Sequence, residues 1–201
     1  MKSEHPQLEF WRSRYRNGRT PWDLGAVSDA ARTLVERWFP PAGRVFVPGC
    51  GRGHEALYLA ARGYAVTALD LAPEPLRDLR VQAGVRGLTL DIREGDMFAL
   101  PAVDDGAYDV VLEQTCLCAL HPSRHADYEA LAHRVLRPGG QLLGVFMQVP
   151  GGDGPPYDNP PALVFGLFPP ERWEREGPWP VKPRNPARPG PEYLARFARR
   201  P

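Results

Sequence analysis

The sequence predicts an α/β fold whose mostly parallel sheet ends in an antiparallel hairpin and is preceded by an N-terminal helical lid. Between residues 44 and 147, apolar strand patterns alternate with helical patterns, as in the βα units of a parallel sheet. A glycine-rich turn joins the first strand of this region to its first helix. Fourteen of the 24 prolines follow Met147, so the βα repeat cannot continue there. A ligand site is expected at the carboxyl ends of the strands.

Length and composition favour one domain. The 201 residues are enough for a single sizeable core. We expect one domain over 1–201, with a lid extension at 1–40, a core at 41–147 and, at 148–201, a proline-rich loop and the terminal hairpin. The hydrophobic share of 43%, the charged share of 24% and the lack of a signal peptide or membrane-length apolar run predict a cytoplasmic protein without a membrane partner.

The charge pattern argues against nucleic acid as a partner. The net charge is +1, and positive and negative residues are interspersed along the chain. A small molecule is therefore the expected partner. No exposed apolar stripe stands out in the sequence to indicate an oligomer, and we expect a monomer or a weak homodimer. The three cysteines lack the spacing of a secreted protein, so no disulfide framework is predicted.

Two helices are predicted ahead of the first strand. The first carries aromatic side chains on one side and ends at the turn signal Asn17-Gly18. A turn-rich segment follows at 20–25. The second helix begins after a Ser28 cap and stops at Pro40. Because this region precedes the first strand, we expect it to lie over the glycine-rich turn as a lid.

Periodicity places the other elements. Val45–Val47 form the first strand, and Pro48 ends it because proline lacks a backbone donor. Further parallel strands are predicted at 65–70, 88–94, 109–114 and 141–147. Helices are predicted at 54–62, 73–84, 128–135 and 160–168, with a closing turn at 137–140. The terminal antiparallel pair is predicted at 171–176 and 192–199.

Gly49, Gly51 and Gly53 follow the first strand on alternate positions. Glycine adopts positive φ and lets backbone approach a ligand, and the helix that begins at His54 points unpaired N–H groups toward the same place. Dinucleotide enzymes use the longer spacing Gly-x-Gly-x-x-Gly. The shorter spacing Gly-x-Gly-x-Gly resembles the first motif of the S-adenosylmethionine (SAM) methyltransferases. A tight turn without a ligand is the alternative interpretation.

Two carboxylates follow later strands of the predicted sheet. Asp70 ends the second strand, where an acceptor-only group can take the protons of both ribose hydroxyls. Asp96 and Met97 follow the third strand, where a carboxylate can accept from an adenine amino group and a thioether can pack on the ring. A helix-start aspartate and a loop aspartate are the alternative interpretations of Asp70 and Asp96.

The cysteines and histidines after the fourth strand do not predict a metal or a nucleophile. Only Cys116, Cys118 and His121 lie close enough in sequence to be ligands, which leaves a zinc site without its fourth ligand. A nucleophilic Cys/His pair has no identifiable orienting group. His121 and His125 flank a helix start and are interpreted as capping or surface residues. We therefore predict no metal and no certain catalytic residue.

A set of motifs makes a family resemblance specific. Their order is similar to that of the thiopurine S-methyltransferase family, which includes thiol, halide and thiocyanate methyltransferases among the class I SAM-dependent enzymes. The resemblance runs from Phe10 to Tyr157 and more loosely beyond. The motifs are Phe10-Trp-Arg-Ser-Arg-Tyr15, Thr20-Pro-Trp-Asp23, Val47-Pro-Gly-Cys-Gly51, Leu69-Asp-Leu71, Gly95-Asp-Met-Phe98, Glu113-Gln-Thr-Cys-Leu-Cys-Ala-Leu120 and Gly151-Gly-Asp-Gly-Pro-Pro-Tyr157.

The resemblance implies a Rossmann-like SAM-dependent methyltransferase fold, SAM as the cofactor, and a role for particular residues. The implied cofactor-binding residues are Trp11, Tyr15, Trp22, Gly49, Cys50, Gly51, Gly53, Asp70, Leu71, Asp96, Met97 and Gln114. The implied acceptor-binding residues are Trp22, Cys116 and Tyr157. The aromatic residues would close over SAM, the glycines would line its methionine end, and the carboxylates would hold its nucleoside. Gln114 stands where relatives place an arginine or tyrosine, and Tyr15 replaces a common tryptophan.

The expected function is transfer of the SAM methyl group to a small soft nucleophile. A thiol, such as a thiopurine, an aliphatic thiol or sulfide, is favoured, and halide and thiocyanate are further acceptors. Thiols ionise near pH 8.5 and need little acid–base help, while aromatic side chains suit a sulfonium. One rival is an NAD(P)-dependent oxidoreductase, for which no hydride-transfer acid is found. The other is a non-catalytic SAM-binding scaffold or sensor, which the change at Gln114 leaves open.

Overall fold

The computed structural model describes residues 7–151, 153–181 and 190–201. Its α-helices are α1 (Leu8–Arg16), α2 (Asp29–Trp38), α3 (His54–Ala60), α4 (Pro73–Val85), α5 (His125–Val135) and α6 (Pro161–Leu167). Its strands are β1 (Arg44–Pro48), β2 (Ala65–Asp70), β3 (Asp91–Glu94), β4 (Tyr108–Gln114), β5 (Leu136–Met147), β6 (Trp173–Val181) and β7 (Glu192–Arg199). No helix among the described residues is long and apolar enough to cross a membrane.

The seven strands form one sheet in the order β3-β2-β1-β4-β5-β7-β6. Strands β1 to β5 pair in parallel, and β7 pairs antiparallel with both β5 and β6. The chain adds β2 and β3 on one side of β1 and then β4 and β5 on its other side, so the order of the strands reverses between β1 and β4. Ligands of such sheets bind at this reversal, outside the carboxyl ends of the strands. The predicted α/β fold with a terminal antiparallel hairpin is therefore present.

Apolar side chains cover both faces of the sheet. Val45 and Val47 of β1 point toward the core beneath α2, α3 and α4. Phe46, between them, points toward the core beneath α5 and α6. This alternation is the period of two of a strand, and helices on both faces explain why β1 is apolar throughout.

The two N-terminal helices are attached differently. Ser28 caps α2, since its side-chain oxygen accepts from the Ala31 N–H at 3.0 Å, as predicted. Helix α2 packs against the core through buried side chains, whereas α1 contributes no buried residue. An ion pair between Arg12 and Glu74, 3.1 Å long, ties α1 to α4. Helix α1 therefore lies on the outside of the fold.

Three predicted boundaries are wrong for local reasons. The third strand begins at Asp91 instead of residue 88, because the Leu88 N–H bonds to the Ala83 carbonyl and completes the end of α4. Residues 137–140 belong to β5 as an irregular stretch opposite Tyr108 and are not a separate turn. Strand β6 begins at Trp173 and extends to Val181, beyond the predicted 171–176, with an irregularity after Glu176.

Candidate functional site

A cleft of about 500 Å³ lies at the carboxyl ends of β1, β2 and β4. Its floor includes the glycine-rich turn after β1, Asp70 at the end of β2 and Gln114 at the end of β4. Its outer wall is formed by α1 and by residues 21–26. The N-terminal region thus covers the turn, in the position expected of a lid.

The three glycines of the turn all have left-handed backbone but serve two purposes. Gly49, at φ 58°, and Gly51, at φ 53°, line the cleft with Cys50 between them. Gly53, at φ 70°, lies outside the lining. A Cβ atom there would come within 2.5 Å of Cδ1 of Leu79 on α4. Gly53 is therefore needed for helix packing, and the first two glycines leave backbone free to face a ligand.

The carboxylate of Asp70 is fixed by backbone donors. Its Oδ2 accepts from the Gly51 N–H at 2.8 Å and its Oδ1 from the Ala72 N–H at 2.9 Å. Burial raises the pKa of Asp70 to about 6, against the effect of these hydrogen bonds. A carboxylate has about four acceptor positions, and the Leu71 N–H is a third backbone donor to Asp70, so acceptor capacity remains for a ligand. The geometry suits the vicinal hydroxyls of a ribose.

Leu71, Asp96 and Met97 line the cleft beside Asp70, together with Phe98. Oδ1 of Asp96 accepts from the Phe98 N–H at 2.9 Å and starts a short 3₁₀ turn. Met97 and Phe98 pack against the core on one side. This arrangement offers an apolar surface beside a carboxylate, as a planar heterocycle with an amino group requires.

Gln114 brings a buried donor to the cleft. Its Oε1 accepts from the Ser28 hydroxyl at 3.2 Å, while the Ser28 N–H donates to Oε1 of Glu55. Within the described part of the chain, Nε2 of Gln114 is buried without a hydrogen-bond partner. An unpaired buried donor costs about 1 to 3 kcal/mol, so a ligand acceptor at this place would remove a penalty.

Glu113, beside Gln114, points to the opposite face of the sheet and is fully buried. Its Oε1 accepts from the N–H groups of Cys116, at 2.5 Å, and Leu117, at 3.1 Å, and its Oε2 accepts from the Tyr128 hydroxyl. Burial raises the pKa of Glu113 to about 7. Sequence reasoning assigned this residue no role. A glutamate directly after Val-Val-Leu in a buried strand was the available signal.

The outer wall is an aromatic cluster. The rings of Trp11 and Trp22 meet edge to face with centroids 5.6 Å apart, and those of Tyr15 and Trp22 do so at 5.9 Å. The Tyr15 hydroxyl lies 3.0 Å from the place that a Cβ atom of Gly51 would occupy. Burial raises the pKa of Tyr15, so its phenol is neutral. The three predicted aromatic residues are thus together, facing the glycine-rich turn.

Asp23 fastens this wall to the turn. Its Oδ1 accepts from the Gly25 N–H at 2.9 Å and contacts Nε2 of His54 at 2.8 Å, and its Oδ2 pairs with the Arg52 guanidinium. The hydrogen bond from His54 lowers the pKa of Asp23 below its usual range. Arg52 also pairs with Asp78 of α4 at 2.8 Å. No role was assigned to these side chains from the sequence, because residues 23 and 52 are brought together only by the fold.

The two carboxylates that pair with Arg52 should contribute differently to ligand binding, since Asp23 belongs to the outer wall of the cleft and Asp78 to α4. Asp23→Asn removes the charge that holds the lid, so we expect S-adenosylhomocysteine to bind about tenfold more weakly, the effect of one charge-assisted hydrogen bond. Asp78→Asn is the matched control and should change affinity less than about twofold, since its side chain is 55% exposed. Calorimetric titration measures both. Equal effects would contradict the role of Asp23.

One of the residues predicted to bind the acceptor lies outside the cleft. Cys116 lines the cleft, but Tyr157 does not: its ring meets His121 at 5.5 Å, and its N–H donates to the Cys118 carbonyl at 2.7 Å. Pro155 and Pro156 of the same loop reach the cleft instead. Gly152 of this motif lies outside the described residues.

The two histidines after β4 differ from each other. His121 is exposed and caps a 3₁₀ turn, since its side chain accepts from the Ser123 N–H. His125 is buried, with Nε2 3.2 Å from the Leu120 carbonyl, so it is neither a cap nor a surface residue. Over the described ranges, no group of three or more His, Cys, Asp or Glu side chains is placed to hold a metal ion.

Comparison with known proteins identifies the family. The model of the thiopurine S-methyltransferase family matches residues 6–176. A thiopurine S-methyltransferase of Pseudomonas entomophila is 32% identical over 79% of this chain and 81% of its own length. A probable thiol methyltransferase 2 of Arabidopsis thaliana is 26% identical over 74% of this chain. The chain spans 66% of that plant protein, slightly less than two thirds of its length.

The fold is also that of solved methyltransferases. The 1,6-didemethyltoxoflavin-N1-methyltransferase of Burkholderia thailandensis, solved with its substrate and S-adenosylhomocysteine, superimposes with a TM-score of 0.80 at 21% identity. The match covers 96% of this chain and 87% of that one. The sheet therefore has the SAM-dependent methyltransferase architecture that the resemblance implied. The family model covers most of the chain, and the chain belongs to the thiopurine S-methyltransferase family.

Proposed function

We propose that this chain transfers the methyl group of SAM to a small thiol. The observation that carries the proposal is the aromatic-walled cleft in which Asp70 and the Gly49–Gly51 turn face the same space. Membership of the thiopurine S-methyltransferase family supports the reaction class. The names of the relatives, which act on thiols, thiopurines and thiocyanate, support a soft acceptor.

The residues present fit SAM. Asp70 has free acceptor positions for the ribose, and Asp96 with Met97 suits the adenine. The backbone of Gly49 and Gly51 is open to the methionine end. The unpaired Nε2 of Gln114 is a donor for an acceptor atom of the cofactor, so glutamine can serve where relatives carry arginine or tyrosine. Cys50 and Leu71 contribute walls, whereas Gly53 acts only through helix packing.

The chain's contribution to the reaction is positioning and exclusion of water. When bound, SAM supplies an electrophilic methyl group on a positive sulfonium. Aromatic faces attract such a cation, and Trp11, Tyr15 and Trp22 provide them. A closed apolar cleft aligns the two reactants and strengthens the attraction between opposite charges. The acceptor thiol ionises on its own near neutrality, so no side chain has to remove its proton.

The acceptor is proposed to contact Trp22 and Cys116. Both line the cleft, and burial raises the pKa of the Cys116 thiol, which keeps it neutral and apolar. Tyr157 acts indirectly in this proposal, since its N–H donates to the Cys118 carbonyl and it directly follows the two prolines that reach the cleft. The acceptor is a small molecule. The apolar lining favours a thiol attached to a carbon framework over an acceptor that is strongly hydrated in water.

The rival interpretations lack support of this kind. An NAD(P)-dependent oxidoreductase would need room for a pyrophosphate at the longer glycine spacing, and the family match favours SAM. A non-catalytic scaffold was suggested by Gln114 alone, and the donor at that position remains suited to a ligand. We further propose that the chain works as one domain, as a monomer or weak homodimer, in the reducing cytoplasm, since all three of its cysteines are free.

Acceptor discrimination tests this proposal. The purified chain is incubated with SAM and each of thiophenol, phenol and aniline, which share one ring and differ in the nucleophilic atom. We expect methylated product from thiophenol at a rate at least about a hundredfold above the other two, because at pH 8 thiophenol is a soft thiolate, phenol keeps its proton, and aniline offers only a neutral, harder nitrogen. Preferential methylation of phenol or aniline would contradict a soft acceptor.

A further inference from the structure

The turn that follows β4 lines part of the cleft and has an unusual backbone. Thr115, Cys116 and Cys118 line the cleft. Thr115 has φ 57°, a left-handed conformation that a β-branched residue rarely adopts. Such a conformation persists only where the surroundings impose it, and it marks functional sites. The question is which contacts hold this turn.

Glu113 supplies those contacts. Its Oε1 accepts from two successive backbone N–H groups, of Cys116 and Leu117, directly after the left-handed residue. The N–H group of Thr115 itself donates to the Val145 carbonyl over a longer distance of 3.3 Å. The turn is pressed against the glycine-rich loop, since Sγ of Cys116 lies 2.7 Å from the place that a Cβ atom of Gly49 would occupy. The glycine-rich turn after β1 and the turn after β4 thus meet in one tight contact.

All hydrogen-bond partners of Glu113 are donors. They are the N–H groups of Cys116 and Leu117 and the hydroxyl of Tyr128 on α5. Among its partners in the described structure, a proton on the carboxyl group could pass only to the Tyr128 hydroxyl, whose own hydrogen bond to Glu113 would then have to reverse. The charged form therefore accepts from all three donors, and the neutral form leaves the two backbone N–H groups with an uncharged, weaker acceptor.

We propose that Glu113 is a positioning residue, which holds the turn of Thr115 and Cys116 against the cofactor loop through its negative charge and releases the turn when that charge is lost. The inference rests on the proposed function, because the turn is assigned to the acceptor side of the same cleft. The inference goes beyond the proposed function in two ways. It names a residue, Glu113, that touches neither reactant, and it names loss of the negative charge as the condition that switches the effect of this residue.

The other titratable groups that face Glu113 do not change charge in the same range. They are Cys116 on the turn, Tyr128 on α5 and Tyr193 on β7, and burial raises the pKa of each. All three are neutral between pH 5 and 8. Asp70 faces Cys116 from β2, and burial raises its pKa to about 6. Protonation of Asp70 weakens cofactor binding, so saturating SAM removes its effect and leaves that of Glu113.

The test follows kcat against pH at saturating SAM with an electron-poor aryl thiol that is already ionised at pH 5, so that the acceptor does not titrate. The wild-type chain should lose activity below a midpoint near pH 7, following the pKa of Glu113. Glu113→Gln carries no charge, and its amide NH₂ can donate to the Tyr128 hydroxyl, so the variant imitates the neutral form. We expect its kcat to be about tenfold lower at pH 8 and independent of pH, the loss of one charge-assisted hydrogen bond.

Two further variants separate positioning from general destabilisation. Tyr128→Phe removes a donor that favours the charged form, so the midpoint should move to higher pH. Glu129→Gln is the matched control, because Glu129 is a buried glutamate of α5 that binds Trp173 and Arg172 away from the cleft. It should lower the melting temperature and leave the midpoint unchanged. A wild-type profile in Glu113→Gln, or the same change in Glu129→Gln, would overturn the inference.

A second readout does not depend on turnover. In the complex with S-adenosylhomocysteine, the amide proton resonances of Cys116 and Leu117 should titrate together with a midpoint near pH 7. If no thiol is methylated but these resonances titrate, the proposed function fails and the role of Glu113 stands. If methylation occurs and the resonances do not move between pH 5 and 8, the role of Glu113 fails alone.

Discussion

Asp70→Ala is expected to weaken the binding of S-adenosylhomocysteine by about a hundredfold or more. The Asp70 carboxylate is the group at the end of β2 that can accept from two ribose hydroxyls, and each such charged hydrogen bond contributes about 1.5 to 3 kcal/mol. The substitution also leaves the Gly51 N–H without its acceptor at the edge of the cleft. Isothermal titration calorimetry at pH 7.5 measures the change.

The pH dependence of the same titration gives a control within the wild-type chain. Because burial raises the pKa of Asp70 to about 6, the carboxylate is ionised at pH 7 and becomes neutral as the pH falls through 6. Affinity should fall about fivefold between pH 6 and 5, as the ionised fraction falls, and Asp70→Asn should show no such dependence. Affinity of Asp70→Ala within threefold of wild type would contradict the assigned role.

Gly53→Ala is expected to destabilise the fold by about 2 to 5 kcal/mol. A left-handed conformation costs a residue with a side chain about 1 to 3 kcal/mol, and overpacking costs a further amount of similar size. The overpacking arises because the new methyl group would meet Leu79 of α4 at 2.5 Å. Urea denaturation measures the free energy of unfolding.

Gly51→Ala is the matched variant, since φ is also left-handed there and the nearest atom is the Tyr15 hydroxyl at 3.0 Å. It should destabilise less than Gly53→Ala and weaken S-adenosylhomocysteine binding more. Adding Leu79→Ala to Gly53→Ala should recover part of the stability relative to the sum of the single changes. Strict additivity of the two substitutions would contradict packing as the reason for Gly53.

Much of the fold was predictable because its signals are local. Short apolar runs between helical patterns mark the strands of the parallel region, and the Ser28 cap and the Asn17-Gly18 turn mark helix ends. The misplaced start of β3 has a physical reason, since Leu88 is apolar like a strand residue but completes the end of α4. The length of β6 depends on pairing with β7, which no pattern within 171–181 encodes.

Some parts of the site were likewise predictable from local sequence, and others depend on contacts that only the fold creates. Asp70 and the glycines follow directly after strands, so sequence position alone brings them to the carboxyl edge of the sheet. Asp23 and Arg52 acquire their roles only through contact with each other, and a pairing across 29 positions leaves no local pattern. Gly53 was grouped with the ligand-facing glycines because spacing does not reveal Leu79 beneath it. Tyr157 was placed in the cleft by resemblance, whereas Pro155 and Pro156 reach it.

The central claim is that this chain itself performs methyl transfer from SAM to a thiol. It is tested most directly by a single-turnover reaction of excess enzyme with SAM that carries a deuterated methyl group and with thiophenol, analysed by mass spectrometry. We expect one S-methyl product bearing the intact deuterated methyl group for each S-adenosylhomocysteine formed. Tight binding of S-adenosylhomocysteine without any S-methylated product, from thiophenol or from aliphatic thiols and thiopurines tried in its place, would contradict it.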